Sequence, residues 1–300
     1  MQPNIAETAA ITIRFVMPDA QLAPFVTTLY HLEVGHIGGG TLEDWFHPEW
    51  ANIRFLDSGR RDAAVGDAPM RQVPNPVFAG PTSMATRFRV GQGRSWGVGL
   101  LPLGWARFCG GDAADYRDRF CDAGSDPVLA ELAAVGEGLL DGPADVQREA
   151  ALIQQRLKLL LDRNVSGEDR IAKVNAALVN PEITSVTEFA DCTAMSPRTL
   201  ERLCRKVFGF PPKLLLRRQR FLRSLARYML DPSMSWLDSL DSGYHDQAHF
   251  VRDFHRFMTM SPSAYAKLEH PILMAAMRGR MEAAGQAMQV LHEPTSKPPA

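Results

Sequence analysis

The segment 196–209 predicts a short helix with well-defined ends. Ser196 is a preferred N-cap residue, Pro197 suits the first helical position because no intrahelical bond is lost there, and Gly209 predicts the end. One side is apolar and the other is charged: Leu200, Leu203, Cys204 and Val207 against Arg198, Glu201, Arg202 and Arg205. Such arginines can donate two hydrogen bonds to a guanine edge in the major groove of DNA. The alternative is a surface helix whose charged face is solvated.

The charge distribution around this segment favours DNA binding. The formal net charge of the whole chain is −1, so the overall balance decides nothing. Between residues 196 and 227, however, Glu201 is the only acid, and the basic residues are Arg198, Arg202, Arg205, Lys206, Lys213, Arg217, Arg218, Arg220, Arg223 and Arg227. A basic block in a near-neutral protein is the electrostatic footprint of a nucleic-acid-binding face. It predicts double-stranded DNA as a partner.

The composition indicates a globular protein of the cytoplasm. Apolar residues make up 45% of the chain and charged residues 22%, and a length of 300 residues favours two domains. The four cysteines have no CxxC spacing, which is typical of a reduced protein without a disulfide framework. There is no signal segment and no apolar run of membrane-spanning length, so no membrane partner is expected.

The first part of the chain predicts a β-rich domain with flanking helices. Short apolar segments are separated by glycine and proline clusters, a pattern typical of a sandwich or barrel; they are 11–16, 52–56, 86–90 and 96–101. Helical patterns follow from Pro102, and the last, 143–164, is a clear amphipathic stripe. The polar break at 164–169 predicts the end of an N-terminal domain, 1–165, and an α+β fold overall.

No catalytic chemistry is evident in this sequence. His31, His36 and His47 lack the spacing of metal ligands, and no nucleophile elbow, P-loop or dinucleotide fingerprint is present. We therefore predict no catalytic residue, no metal, no cofactor and no enzyme. An alternative is a DNA-reading module fused to an enzymatic or repair domain. Cys109 and Cys121 lie near aspartates, which argues against an alkyl-transfer thiol.

The order of helices after residue 166 predicts two helix-turn-helix units. A helix at 185–192 precedes the basic helix across a tight connection, and 213–230 predicts a long rod with arginines outside. A short helix at 235–240, a turn and a helix at 246–257 then repeat the arrangement. Two such units on a rigid spacer can enter successive major grooves, about 34 Å apart.

Residues 170–268 resemble the DNA-binding domain of the AraC/XylS family of bacterial transcription regulators. In the first unit the resemblance rests on Phe189, Ala190, Met195, Ser196, Pro197, Arg198, Thr199, Leu200, Phe208 and Gly209. In the second it rests on Gly243, Tyr244, Asp246, Gln247, Phe250, Arg252, Phe254, Ser261, Pro262 and Tyr265. The resemblance implies an all-α DNA-binding domain, 166–270, with two helix-turn-helix units joined by a long helix.

The resemblance also implies which side chains meet DNA. The base-facing positions fall on Arg198, Glu201 and Arg202 in the first unit and on Gln247, Ala248, Val251 and Arg252 in the second. Glu201 could accept a bond from cytosine or orient Arg202. Contacts to phosphate, which fix register, are expected from Ser196, Arg205, Lys213, Arg218 and His249.

The sequence departs from the family pattern in two places. Ala194 stands where the family usually has glycine, at a cost if that residue has a positive φ. In the helix before Gly243, Asp238 and Ser239 occupy positions that the family gives to an aliphatic residue and alanine, as if one residue were missing. We therefore expect distorted geometry in the second unit and predict that the first dominates specificity.

Residues 1–165 resemble, more loosely, the N-terminal sensing domains of some family members, mainly through segment 97–108. The predicted function is a cytoplasmic, sequence-specific transcription regulator whose N-terminal domain senses a small molecule or mediates dimerisation. The resemblance implies a homodimeric activator that works with RNA polymerase. The alternative is a ligand-independent regulator controlled by a protein partner. Neither the effector nor the operator can be identified from the sequence.

The tail 271–300 extends beyond the usual end of such regulators. Its apolar residues repeat at helical spacing: Met274, Met277, Met281, Ala284, Met288 and Leu291. Gly279 and Gly285 weaken a coiled coil, so we predict packing against the body of the protein, with a partner surface as the alternative. Residues 293–300 are expected to be disordered.

Overall fold

The computed structural model describes residues 11–57, 59–231, 234–244 and 246–285. Its strands are β1 (Ile11–Val16), β2 (Val26–Val34), β3 (Leu42–Phe46), β4 (Asn52–Leu56), β5 (Arg61–Val65), β6 (Arg71–Gln72), β7 (Val77–Ala79), β8 (Thr86–Val90), β9 (Gly93–Leu100) and β10 (Phe120–Asp122). Its helices are α1 (Pro102–Gly104), α2 (Ala130–Ala134), α3 (Val146–Leu159), α4 (Glu168–Val179), α5 (Val186–Thr193), α6 (Pro197–Phe208), α7 (Pro212–Leu230), α8 (Gln247–Met258), α9 (Pro262–Tyr265) and α10 (Pro271–Ala284). Strands followed by helices confirm the predicted α+β class.

The strands form two antiparallel sheets. One is six-stranded, in the order β1-β2-β9-β4-β7-β10, and the other is four-stranded, in the order β3-β8-β5-β6. Apolar residues from both sheets, among them Leu32, Val34, Phe88 and Val90, are buried together. The two sheets therefore share a core, as the predicted sandwich or barrel requires.

The predicted helix 143–164 is the shorter helix α3. The Asp145 side chain caps its start by accepting a hydrogen bond from Arg148 N. Glu149 fixes the helix to the six-stranded sheet, because its carboxylate accepts a bond from Trp96 Nε1 at 2.6 Å and pairs with Arg94 at 2.7 Å. The buried apolar stripe of α3 and its paired carboxylate therefore position this helix against the sheet.

Two apolar cores hold the C-terminal helices, and α7 belongs to both. Leu215 and Leu216, near its start, pack with α4, α5 and α6, whereas Phe221, Leu222 and Leu225 pack with α8 and α10. The N-terminal part contributes to both cores. Trp50 lies in the first and Ala85 in the second, where Ala85 N donates a hydrogen bond of 2.6 Å to Phe257 O.

The tail helix α10 packs on the N-terminal sheets, which confirms the predicted packing for its described part. Gly279 permits the close approach, since a Cβ there would lie 3.1 Å from the Phe15 ring on β1. The helix begins against Asp44, whose carboxylate accepts bonds from Ile272 N and Leu273 N at 2.9 and 2.8 Å. Met288, Leu291 and the predicted disordered end lie outside the described residues.

Within the part of the chain that the structure describes, no helix is long and apolar enough to cross a membrane.

Candidate DNA-binding surface

The first helix-turn-helix unit consists of α5, a tight turn and α6. Ser185 and Glu188 form a reciprocal capping box at the start of α5. Ser196 caps α6 by accepting a bond from Thr199 N, and Pro197 follows at the first helical position. Gly209, with a φ of +82°, ends the helix. The caps predicted from the sequence are therefore those in the structure, since each depends on neighbours only a few residues away.

The charged face of α6 is open to solvent. Arg198, Glu201 and Arg202 are exposed, while Leu200 and Cys204 on the opposite side are completely buried. Glu201 pairs with Arg205 at 2.8 Å, one turn further along, so it orients Arg205 rather than Arg202. Because the apolar side is fixed in the core, the helix presents its arginines to the solvent.

Ala194 has the backbone conformation that the turn requires, with a φ of +53°. An alanine side chain in this left-handed region costs about 1 kcal/mol, which glycine avoids. We expect Ala194→Gly to raise the free energy of unfolding by about 1 kcal/mol, as measured by urea denaturation. As a control, Ala172→Gly at an exposed position inside α4 should lower it by about the same amount. A loss of stability in both variants would contradict the argument.

The second unit lacks the short first helix expected at 235–240. Residues 236–239 form a turn instead. Trp236 stacks on Tyr228 of α7, with ring centroids 3.5 Å apart, while Leu237 is exposed. The short helix was therefore predicted wrongly, at the place where the sequence departs from the family pattern.

Helix α8 nevertheless has the features of a recognition helix: it is capped at its start, and one of its faces is exposed. Asp246 accepts a bond from His249 N at its start. Gln247, Ala248 and Arg252 are exposed, and Val251 is partly exposed. His249 Nε2 lies 3.1 Å from Arg220 Nη2, and burial, followed by the Arg220 charge, lowers the pKa of His249. A neutral imidazole can still form one hydrogen bond to a phosphate but adds no positive charge there, and the phosphate contact of His249 stays a prediction.

The arginines of α7 do not form the free outer face that the sequence suggested. Arg217 and Arg220 both pair with Asp253, which is completely buried in α8. Arg223 pairs with the buried carboxylate of Asp241 at 2.6 Å. These ion pairs attach the rod to the second unit. The same three arginines line a cleft between the two units. Lys213 at the start of the rod remains exposed.

Arg218 does not lie on the surface, and its assignment as a phosphate contact is corrected. Its exposure is 0%, its guanidinium lies 3.7 Å from the centroid of the Trp50 ring, and Nη1 donates a 2.8 Å bond to Thr82 O. Burial lowers the pKa of the guanidinium. Its partners come from loops between the N-terminal strands, at sequence separations that no local pattern could reveal. Arg218 therefore connects the DNA-binding helices to the N-terminal part.

A capped, solvent-exposed arginine helix in a helix-turn-helix unit, repeated with variation along the chain, defines a DNA-binding transcription regulator. Residues 189–268 match the family model described as "Helix-turn-helix domain". The match confirms the resemblance for this part of the chain, which is an AraC-type helix-turn-helix domain. No curated protein matches the sequence.

The solved structures that match the chain are distant from it in sequence, and their TM-scores lie below 0.5. ToxT from Vibrio cholerae is 10% identical, with 87% of this chain and 98% of that chain covered and a TM-score of 0.43. Wild-type ToxT from Vibrio cholerae with bound unsaturated fatty acid is 12% identical, with 88% and 96% covered and a TM-score of 0.37. The AraC-like transcriptional activator CuxR is 14% identical, with 72% and 87% covered and a TM-score of 0.30.

Proposed function

We propose that this protein is a sequence-specific regulator in which the first helix-turn-helix unit reads most of the operator. The observation that carries the proposal is the outer face of α6, where Arg198, Glu201 and Arg202 are exposed on a helix whose inner face is buried. Arginine can discriminate guanine by a bidentate contact. The second unit, whose first helix is replaced by a turn, contributes through Gln247, Ala248, Val251 and Arg252 of α8.

Other predicted side chains are proposed to contact the DNA backbone rather than the bases. Ser196, Arg205 and Lys213 are exposed at or near α6, where they are placed to position phosphates. The N-terminal part is proposed to sense a small molecule or to mediate dimerisation. Dimerisation, activation, contact with RNA polymerase, the cytoplasmic location and a domain boundary near residue 165 stay predictions.

Selection of bound sequences from random DNA would test the proposal directly. A regulator should enrich one motif, and its affinity for that motif should fall steeply with salt, because phosphate contacts release counterions. Failure to enrich any motif, with a folded protein, would remove the proposed function.

Separate alanine variants of Arg202 and Arg252 test which unit dominates. We expect Arg202→Ala to weaken binding to the selected sequence by roughly 10- to 100-fold and to relax specificity at one base position. Arg252→Ala should have a smaller effect. As a control, Arg205→Ala should weaken binding to all sequences alike, as a phosphate contact does. An equal or larger loss for Arg252→Ala would refute dominance of the first unit.

A further inference from the structure

The segment from His47 to Trp50, which follows β3, contacts the DNA-binding helices at three places. Trp50 packs edge-on against Phe208 at the end of α6, with ring centroids 6.0 Å apart. The same indole ring carries the guanidinium of Arg218, which belongs to the α7 rod. Three residues earlier, His47 Nε2 lies 2.7 Å from Tyr265 Oη in α9. One short segment of the N-terminal part therefore contacts the first unit, the rod and the helix that follows the second unit.

Two further polar contacts join the sheets to the end of the second unit. Ala85 N donates a 2.6 Å hydrogen bond to Phe257 O in the last turn of α8. Asp44 lies 2.9 Å from His270 Nδ1, and the His270 ring packs on the Tyr265 ring with centroids 4.5 Å apart. We refer to three contacts together as the junction: His47 with Tyr265, Asp44 with His270 and the start of α10, and Ala85 with Phe257.

His47 is a buried imidazole among neutral neighbours. Its exposure is 7%, and burial, followed by the charge of His270, lowers its pKa to about 3. Its hydrogen-bond partner Tyr265 is uncharged, because burial raises the pKa of that phenol well above its ordinary value. Two more neutral side chains line the cavity next to His47, namely Tyr30 on β2, whose phenol pKa is also raised by burial, and Leu222 on α7. The ring is therefore neutral while the junction is closed.

The charged groups around His47 offer it no counter-ion. The Asp44 carboxylate is occupied by His270 and by two backbone amides of α10. Glu49 lines the same cavity as His47, but its carboxylate pairs with Arg54 at 2.8 Å. Arg280 of α10 also lines that cavity, and as a cation it opposes a second positive charge. A proton on the ring in the closed junction would be a buried charge without a partner, which is costly.

Acid therefore favours an open junction over a closed one. In the closed form His47 takes up a proton only near pH 3, whereas in an open form the solvated ring takes it up near its ordinary pKa of about 6.5. The preference for the closed form is complete above pH 6.5 and decreases as the pH falls toward 3. Between pH 7.5 and pH 5.5 the ratio of open to closed forms rises about tenfold through this one group.

We propose that His47 is an acid-sensitive switch, whose protonation releases the end of the second unit and the tail helix from the N-terminal sheets. Histidine suits this role because its charge changes near neutral pH. Release removes the attachments of Tyr265 and Phe257, on which the position of α8 relative to the sheets depends. The switch goes beyond the proposed function, since it concerns the connection between the two parts of the chain rather than the DNA surface.

Hydrogen exchange of the full-length protein tests the release. The protection factor of the Ala85 amide, which donates across the junction, should fall about tenfold more in the wild type than in His47→Gln when the pH is lowered from 7.5 to 5.5. Glutamine can keep a hydrogen bond to Tyr265 but takes up no proton. As a control, His36→Gln, at an exposed position, should respond to acid like the wild type. Equal losses in the wild type and His47→Gln would overturn the proposal.

Titration of the His47 ring in the wild type provides a second measurement that does not depend on the folding of a variant. Nuclear magnetic resonance of the imidazole carbons, assigned by comparison with His47→Gln or by sequential assignment, should show a neutral ring at pH 5 in the folded protein. A ring that titrates near pH 6.5 while the Ala85 amide stays protected would contradict the switch. Neither measurement uses DNA, so the result is independent of the test of the proposed function.

Discussion

Replacing Asp253 by alanine is expected to lower the free energy of unfolding by about 3 kcal/mol, the lower end of the range for breaking a buried ion pair. Asp253 has an exposure of 0%, and its carboxylate pairs with Arg217 and Arg220 and accepts a 3.1 Å bond from Tyr244 Oη. The variant leaves these donors without an acceptor. The lower end applies because the Arg217 side chain is 32% exposed and can be rehydrated. Urea denaturation followed by circular dichroism measures the loss.

A matched surface pair provides the control for this prediction. Glu201 and Arg205 form an exposed ion pair at 2.8 Å, with side chains 51% and 45% exposed. Glu201→Ala should therefore change stability by no more than about 0.5 kcal/mol. Asp253→Asn should fall between the two, because an amide oxygen can still accept one bond. Similar small losses for Asp253→Ala and Glu201→Ala would mean that burial does not determine how much these ion pairs contribute to the free energy of unfolding.

The parts of the site that could be predicted from the sequence are those whose contacts are local. The caps at Ser185 and Ser196, the turn at Ala194 and the buried side of α6 are set by residues within one or two helical turns. Local pattern was sufficient for them. For 235–240 the local pattern succeeded only in part: the departure from the family pattern signalled a distorted second unit, but the short helix predicted there is a turn in the structure.

The arginines of the rod were misassigned because their partners are distant in sequence. A run of basic residues on a helix has the same appearance whether it faces phosphate or a buried acid. Asp253 is 33 residues from Arg220, and Thr82 is 136 residues from Arg218. A signal did exist in the second unit, since Asp253 stands between apolar positions of α8. An acid at a buried position requires a partner, and the nearest basic helix could have been considered.

For the tail, too, the partner in the fold could not be predicted from the sequence. Its apolar stripe predicted packing, but not the surface on which it packs. The contact depends on Asp44, which lies in β3 and is completely buried. An aspartate within a strand offers no sequence signal that it will cap a helix 226 residues later.

Asp44→Ala is expected to release the tail helix from the N-terminal sheets and to cost about 3 kcal/mol of unfolding free energy. The carboxylate accepts bonds from Ile272 N and Leu273 N, and His270 Nδ1 lies 2.9 Å from its other oxygen. Alanine leaves the backbone donors buried without an acceptor. It also removes a negative charge from the positive end of the α10 dipole. Hydrogen exchange of the α10 amides and urea denaturation measure the two effects.

The control for this variant is a cap that does not join distant parts of the chain. Asp246→Ala removes the cap of α8, which is exposed, and should cost about 1 kcal/mol without changing exchange in α10. If the α10 amides of Asp44→Ala stay as protected as in the wild type, the tail is held by its apolar contacts alone. Asp44 would then stabilise β3 rather than the junction between sheets and tail.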